Sequence, residues 1–259
     1  MDAVELSRPF ASYLHGRHVR LVTFRQGVHG APRLIWFPFG GGNALTFRSC
    51  ARHLPASWGV YALDRPGQVR TEGEPLRDVE RMRALYSDVI PWSLLNGSVL
   101  MGHSVGSYIA LALAAELERR QGRARAVVIA AAPTPARRLR ERRLSLMTAD
   151  ELFAWIDDMG ALVGSSGAEG RQMFDLFEPA LRADIDAYES FDARPSLEAP
   201  VLVLAGLQDR VCRQEDVQAW AEILPHARLR TIDDGHLFVL SSSQEVASHV
   251  DDFVGSTTE

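Results

Sequence analysis

Short runs of continuous apolar residues alternate along the chain with longer segments whose apolar positions recur every three to four residues. The runs at 18–24, 33–37, 59–63, 98–102, 126–131, 201–205 and 229–232 have the length and composition of strands, and "AVVIAA" and "VLVLAG" are apolar throughout. Strands of that kind suit a parallel sheet covered on both faces, because neither face can be left polar. Helical periodicity marks 44–54, 78–94, 105–121, 214–224 and 243–254. The alternation predicts an α/β fold with a mostly parallel, doubly wound central sheet flanked by helices.

The interval 133–200 breaks this rhythm. It carries no clear strand but several helical patterns: "TADELFAWIDDMG", with Thr148 as N-cap and Gly160 as stop, then "RQMFDLF", then "PALRADIDAYESF". The stretch "VGSSGAEG" at 163–170 reads as a loop within it. A helical insertion between two core strands is expected to sit over the end of the sheet where strand-following loops gather. A lid is one reading and helices packed on for stability the other.

Composition narrows the class. The 259 residues suit one domain, and the formal charge of −5 argues against a nucleic-acid binder. All 28 basic residues are arginine. Cys50 and Cys212 are far apart and lack metal-ligand spacing, so neither a disulfide framework nor a zinc site is expected. The first residues, "MDAVELSRPFASYLHG", do not read as a secretory signal, and no apolar run reaches the ~18 residues of a membrane span. A cytoplasmic protein without membrane or nucleic-acid partners is the expectation.

Candidate chemistry centres on "LMGHSVG". Ser104 stands between Gly102 and Gly106, after a predicted strand and before a predicted helix, the setting in which Gly-x-Ser-x-Gly exposes a serine on a sharp turn. A serine hydroxyl needs a base, and the base needs an acid to hold its tautomer. In this arrangement the chain order is serine, acid, histidine. His236, in "TIDDGHLFVL", follows the last predicted strand, whereas His226 and His249 read as surface positions. Asp209 follows the apolar strand of "VLVLAGLQDRV" by four residues; Asp233 and Asp234 are rivals, but they share a short loop with the histidine. An oxyanion needs backbone donors: the N–H of Val105 is one, and the glycine loop of "WFPFGGGNAL" supplies the other, with Gly40 favoured and Phe39 its alternative. That loop is not a phosphate loop, since the Gly-Lys-Ser/Thr ending is missing. Phe39, Phe153, Trp155 and Met159 are candidate substrate contacts, with Phe174 and Phe177 beside them, although aromatic residues at helical spacing as readily pack on one another.

Taken together, "FPFGGGNAL", "LDRPGQVRTEGEP", "MGHSVGSYIALALA", "LRADIDAYESF", "VLVLAGLQDRV", "VQAWAEI" and "GHLFVL" resemble the type II (editing) thioesterases of polyketide synthase and non-ribosomal peptide synthetase pathways, within the α/β-hydrolase superfamily. The likeness runs from about residue 34 to 239, and "RADIDAYE" is its most informative piece. The chain departs from the family pattern at Gly40, Gln68, Val105 and Leu237, where the family usually has alanine, arginine, methionine and phenylalanine. No triad member is affected. The resemblance implies a single α/β-hydrolase domain with a helical lid at about 133–200. It further implies hydrolysis of acyl groups held on the phosphopantetheine arm of an acyl or peptidyl carrier protein, with no cofactor of its own. Other readings are a thioesterase that releases or cyclises a finished product, a carboxylesterase of small esters, and a silent binding protein on the same fold. The five arginines of "PARRLRERRLS", Arg138 and Arg142 among them, read as a solvated helix face or as a docking surface for an acidic carrier protein.

Overall fold

In a computed structural model, which describes residues 10–14, 17–68, 71, 73–137, 143–159, 167–193, 196–224 and 226–257, the apolar runs pair into one eight-stranded sheet. Its strands are β1 (Phe10–Leu14), β2 (Arg17–Arg25), β3 (Arg33–Phe37), β4 (Gly59–Asp64), β5 (Val99–His103), β6 (Ala126–Ala130), β7 (Val201–Gly206) and β8 (Arg228–Ile232). They lie in the order β1-β2-β4-β3-β5-β6-β7-β8. Pairing is parallel from β4 through β8, and β1 and β2 add antiparallel partners at one edge. The sequence pattern does not announce β1: "FASYL" is short, and among the described residues it pairs with β2 alone.

The helices follow in order: α1 (Arg48–His53) after a 3-10 turn at Ala44–Phe47, α2 (Val79–Val89), α3 (Trp92–Leu95), α4 (Val105–Arg119), α5 (Ala149–Asp158), α6 (Gly167–Ser190), α7 (Gln214–Gln218), α8 (Trp220–Ile223), α9 (Phe238–Ser241) and α10 (Ser243–Ser256). The single helix expected at 78–94 is two, because Pro91 has no N–H to donate and holds Ile90 extended. The period-2 geometry of a strand divides the core. Ile35, Phe37, Leu100 and Val127 point to the face covered by α2 and α4, while Leu34, Trp36, Met101 and Val128 point to the face covered by α1 and α10.

Between β6 and β7 lie a 3-10 turn at Leu144–Leu146, α5 and α6. Thr148 caps α5 as expected, in a capping box with Glu151; Gly160 falls outside the described residues. The two helices expected from "RQMFDLF" and "PALRADIDAYESF" are one helix of 24 residues that passes through Pro179, and Gly167–Gly170, expected in a loop, form its first turn. Burial of Phe174, Leu181, Ile185 and Tyr188 along one side outweighs the hydrogen bond that Pro179 cannot donate. Leu144, Met147, Leu152 and Ile156 pack against this helix as a separate apolar cluster. Cys50 and Cys212 are both buried and not joined. Among the described residues no helix is long and apolar enough to cross a membrane.

Candidate active site

Four loops at the carboxyl ends of β3, β5, β7 and β8 converge on one cleft, the usual location of sites in open parallel sheets. The β5 loop is the tightest. Ser104 stands between β5 and α4 with φ 53° and ψ −123°, a left-handed conformation that a non-glycine residue adopts at a cost of about 1–3 kcal/mol. Its neighbours explain how the turn closes. A Cβ on Gly102 would lie 2.1 Å from the carbonyl oxygen of Gly106, and one on Gly106 would lie 2.1 Å from that of Phe37. The Ser104 N–H donates to the carbonyl of Ala130 at 2.8 Å, fixing the turn to β6. The hydroxyl lines the cleft and makes no hydrogen bond among the described residues. Such contacts commonly tighten only when substrate is bound.

Asp209 and His236 come together as expected. The ring Nδ1–H of His236 donates to Asp209 Oδ2 at 2.8 Å, which leaves Nε2 with its lone pair free to act as a base. Asp209 Oδ1 accepts from the N–H groups of Val211 and Cys212 at 2.8 and 2.9 Å. Burial pushes the Asp209 carboxyl up, but the His236 ring and those two N–H groups outweigh it and hold the carboxyl below its ordinary range. The rivals are occupied elsewhere: Asp233 accepts from Gln208, and Asp234 from Ser241, Ser242 and Gly235.

The glycine loop after β3 narrows the choice of oxyanion donor by elimination. Pro38 has no N–H, Gly41 donates to Asp184 Oδ2 at 2.9 Å, and Gly42 donates to the Phe39 carbonyl at 2.9 Å. Among the described residues, the N–H groups of Phe39 and Gly40 have no partner, and both residues line the cleft with Ser104 and Val105. Val105 begins α4, so its N–H is one of the unpaired donors at a helix start.

The cleft is walled mainly by apolar side chains. Phe39, Trp155 and Met159 line it as the sequence suggested, joined by Leu144, Ile185 and Tyr188. Phe153 does not: its ring meets Phe174 edge-on at 5.5 Å and lies under Arg171, facing the partners of its own helix pair. Phe174 is likewise buried among those helices, and Phe177 packs on Phe174 and Gly41. Arg138 and Arg142 fall outside the described residues. Three buried side chains beside the cleft are not singled out by the sequence. His103 is buried beneath His236 and donates through Nε2 to that residue's carbonyl at 2.7 Å. Arg65 and Asp184 form a buried ion pair at 2.8 Å under the glycine loop. The one available signal was an acid within the apolar stripe Leu181, Ile185, Tyr188 of α6.

Comparison with known proteins agrees with this geometry. The Thioesterase domain family matches residues 32–254. The thioesterase PikA5 of Streptomyces venezuelae is 28% identical over 246 residues, covering 88% of this chain and 83% of its own. The antimetabolite synthetase AmbE of Pseudomonas aeruginosa is 30% identical over 220 residues, which are 83% of this chain but span 10% of AmbE. YbtT, the type II thioesterase of a yersiniabactin pathway, superposes with a TM-score of 0.77 at 26% identity, covering 92% of this chain and 99% of its own. A strained serine elbow, an Asp–His pair aimed at the same cleft and this family match over most of the chain have one conclusion: the chain belongs to the thioesterase family, and it is a serine-hydrolase thioesterase of the α/β-hydrolase fold.

Proposed function

We propose that this thioesterase hydrolyses acyl groups from the phosphopantetheine arm of acyl or peptidyl carrier proteins, as an editing (type II) enzyme of polyketide or non-ribosomal peptide synthesis. The observation that carries the chemistry is the His236–Asp209 hydrogen bond at 2.8 Å, on a histidine that shares its cleft with Ser104. In the first step His236 Nε2 takes the Ser104 proton as Oγ attacks the thioester carbonyl. The N–H groups of Val105 and Gly40, with Phe39 as the neighbouring donor, stabilise the oxyanion. The C–S bond breaks, and the proton passes from His236 to the departing thiolate. Water then attacks the acyl-serine with the same histidine as base, releasing the acid and restoring Ser104. The chemistry calls for no cofactor beyond the partner's phosphopantetheine. The chain reads as one domain whose helical insertion caps an apolar acyl site, at work in the cytoplasm where carrier proteins are loaded. YbtT, a type II thioesterase matched over 99% of its own length, supports the editing role. The short stretch matched within AmbE, a synthetase, supports a second reading in which a finished product is released.

Ser104→Ala, assayed on acyl-loaded carrier proteins and on simple oxygen esters, tests the assignment. Turnover of thioesters is expected to fall by about 10³-fold or more. Near-normal hydrolysis by the variant would remove Ser104 from the reaction, and a wild-type preference for oxygen esters would turn the reading toward a carboxylesterase.

A further inference from the structure

Among the described residues, helix α6 makes its hydrogen bond to the glycine loop through one carboxylate. Asp184 is buried at the cleft wall, and its Oδ2 accepts from the Gly41 N–H at 2.9 Å and from Arg65 Nη2 at 2.8 Å. The Arg65 side chain, also buried, directs its remaining hydrogen bonds to the same loop: Nη1 donates to the Pro38 carbonyl at 3.1 Å and Nη2 to the Phe39 carbonyl at 2.9 Å. Those two carbonyls belong to the peptide units whose nitrogens are Phe39 and Gly40. A trans peptide is planar, with C=O and N–H pointing in opposite directions. By holding both carbonyls, the guanidinium turns the N–H groups of Phe39 and Gly40 away from itself, and both are free among the described residues.

The loop also has little slack against α6. A Cβ on Gly41 would come within 3.2 Å of Phe177, and one on Gly40 within 3.4 Å of Leu181. Gln68 closes the far side, accepting from the Arg65 N–H at 2.9 Å and donating to the Gly42 carbonyl. A buried ion pair is a poor device for stability alone, since well-packed apolar replacements are often equal or better. Here the pair leaves Arg65 Nε without a partner among the described residues, a further cost that packing does not explain.

We propose that Arg65 and Asp184 are positioning residues of the oxyanion hole, aiming the Phe39 and Gly40 N–H groups at the reacting carbonyl only while α6 is seated on the glycine loop. The proposal rests on the Ser104 chemistry above.

The decisive variant is the double Arg65→Met/Asp184→Leu, which removes both charges together. Asp184→Asn and Arg65→Lys serve as single variants, the lysine keeping a charge beside Asp184 without the fork that grips two carbonyls. The double variant is expected to keep a Tm close to wild type, while kcat on an acyl thioester falls about 10- to 100-fold and KM moves less than about threefold, since the lost interaction belongs to the transition state. An alkyl boronic acid, which forms a tetrahedral adduct on the serine, is expected to bind more weakly by the same factor as kcat falls. Each single variant should show the same split, and those two carry the test if the double does not fold. Wild-type kcat and boronate affinity in folded variants, or a change confined to KM, would overturn the proposal. If Ser104→Ala itself retains turnover, the serine mechanism fails first; if that variant is dead and the double variant is fully active, only the positioning role fails.

Discussion

His103 offers a direct reading of how the site controls its protons. The imidazole is fully buried between Phe39, Phe238 and His236, donates from Nε2 to the His236 carbonyl, and has no partner at Nδ1 among the described residues. Burial first, and then repulsion from His236, push its pKa from the ordinary 6.5 down to about 3, against the opposing pull of Asp209 and of its bond to the His236 backbone. The native protein therefore refuses a proton that the unfolded chain accepts throughout that interval. Because the unfolded state binds more protons, stability rises with pH at about 1.4 kcal/mol per unit from this group. Between pH 6 and 4.5 the native state should lose about 2 kcal/mol on this account. The neutral ring also matters for chemistry. Its centroid is 5.4 Å from that of His236, and two imidazolium ions so placed would repel by about 3 kcal/mol at an effective dielectric constant of ~20. A neutral His103 lets His236 accept the serine proton without that opposition. His103→Gln keeps a donor toward the carbonyl and removes the titration. Urea unfolding of both proteins from pH 7.5 to 4.5 should give a constant offset above pH 7 and a shallower decline for the variant below pH 6. Parallel curves would refute the reasoning, since they require His103 to titrate alike in both states.

Three further outcomes are expected. Asp209→Asn keeps an oxygen for the Val211 and Cys212 N–H groups but turns an N–H toward His236 Nδ1; kcat on acyl thioesters should drop about 10³- to 10⁴-fold with Tm nearly unchanged, and a drop below tenfold would count against the acid assignment. Gly106→Ala places a Cβ 2.1 Å from the Phe37 carbonyl, where backbone cannot yield; denaturation should show at least about 3 kcal/mol of lost stability, and a soluble variant of wild-type stability would contradict the packing described. Trp155→Ala widens the cleft wall, so kcat/KM for bulky acyl chains should rise relative to short ones by about tenfold, and an unchanged ratio would place the acyl chain elsewhere.

The serine turn and the pairing of Asp209 with His236 are legible in the sequence because each is announced locally: glycines flank Ser104, an apolar strand precedes Asp209, and a strand end precedes His236. What stayed hidden depends on contacts distant in sequence. Arg65 and Asp184 are 119 positions apart, and only the fold shows that one guanidinium serves both α6 and the glycine loop. Gln68, a departure from the family pattern, likewise gains meaning only beside the Gly42 carbonyl. Local rules misled at Pro179, where a burial stripe carried α6 past a helix breaker, and at Phe153, whose helical face points to Phe174 and not to the cleft. β1 escaped because a five-residue edge strand has too little pattern to register.

His236 sits in the loop after β8, one of the two edge strands of the sheet, paired among the described residues with β7 alone. Edge elements open at lower free energy than central ones, so warming should detach His236 while Ser104, at the end of interior β5, keeps its turn. Between working enzyme and unfolded chain there would then lie a silent population, folded through the middle of the sheet and able to regain its base on cooling. The bond from His103 on β5 to the His236 carbonyl is a mooring line from the rigid interior to that loose margin. Its strength, more than the melting point of the whole molecule, would set the temperature at which hydrolysis stops.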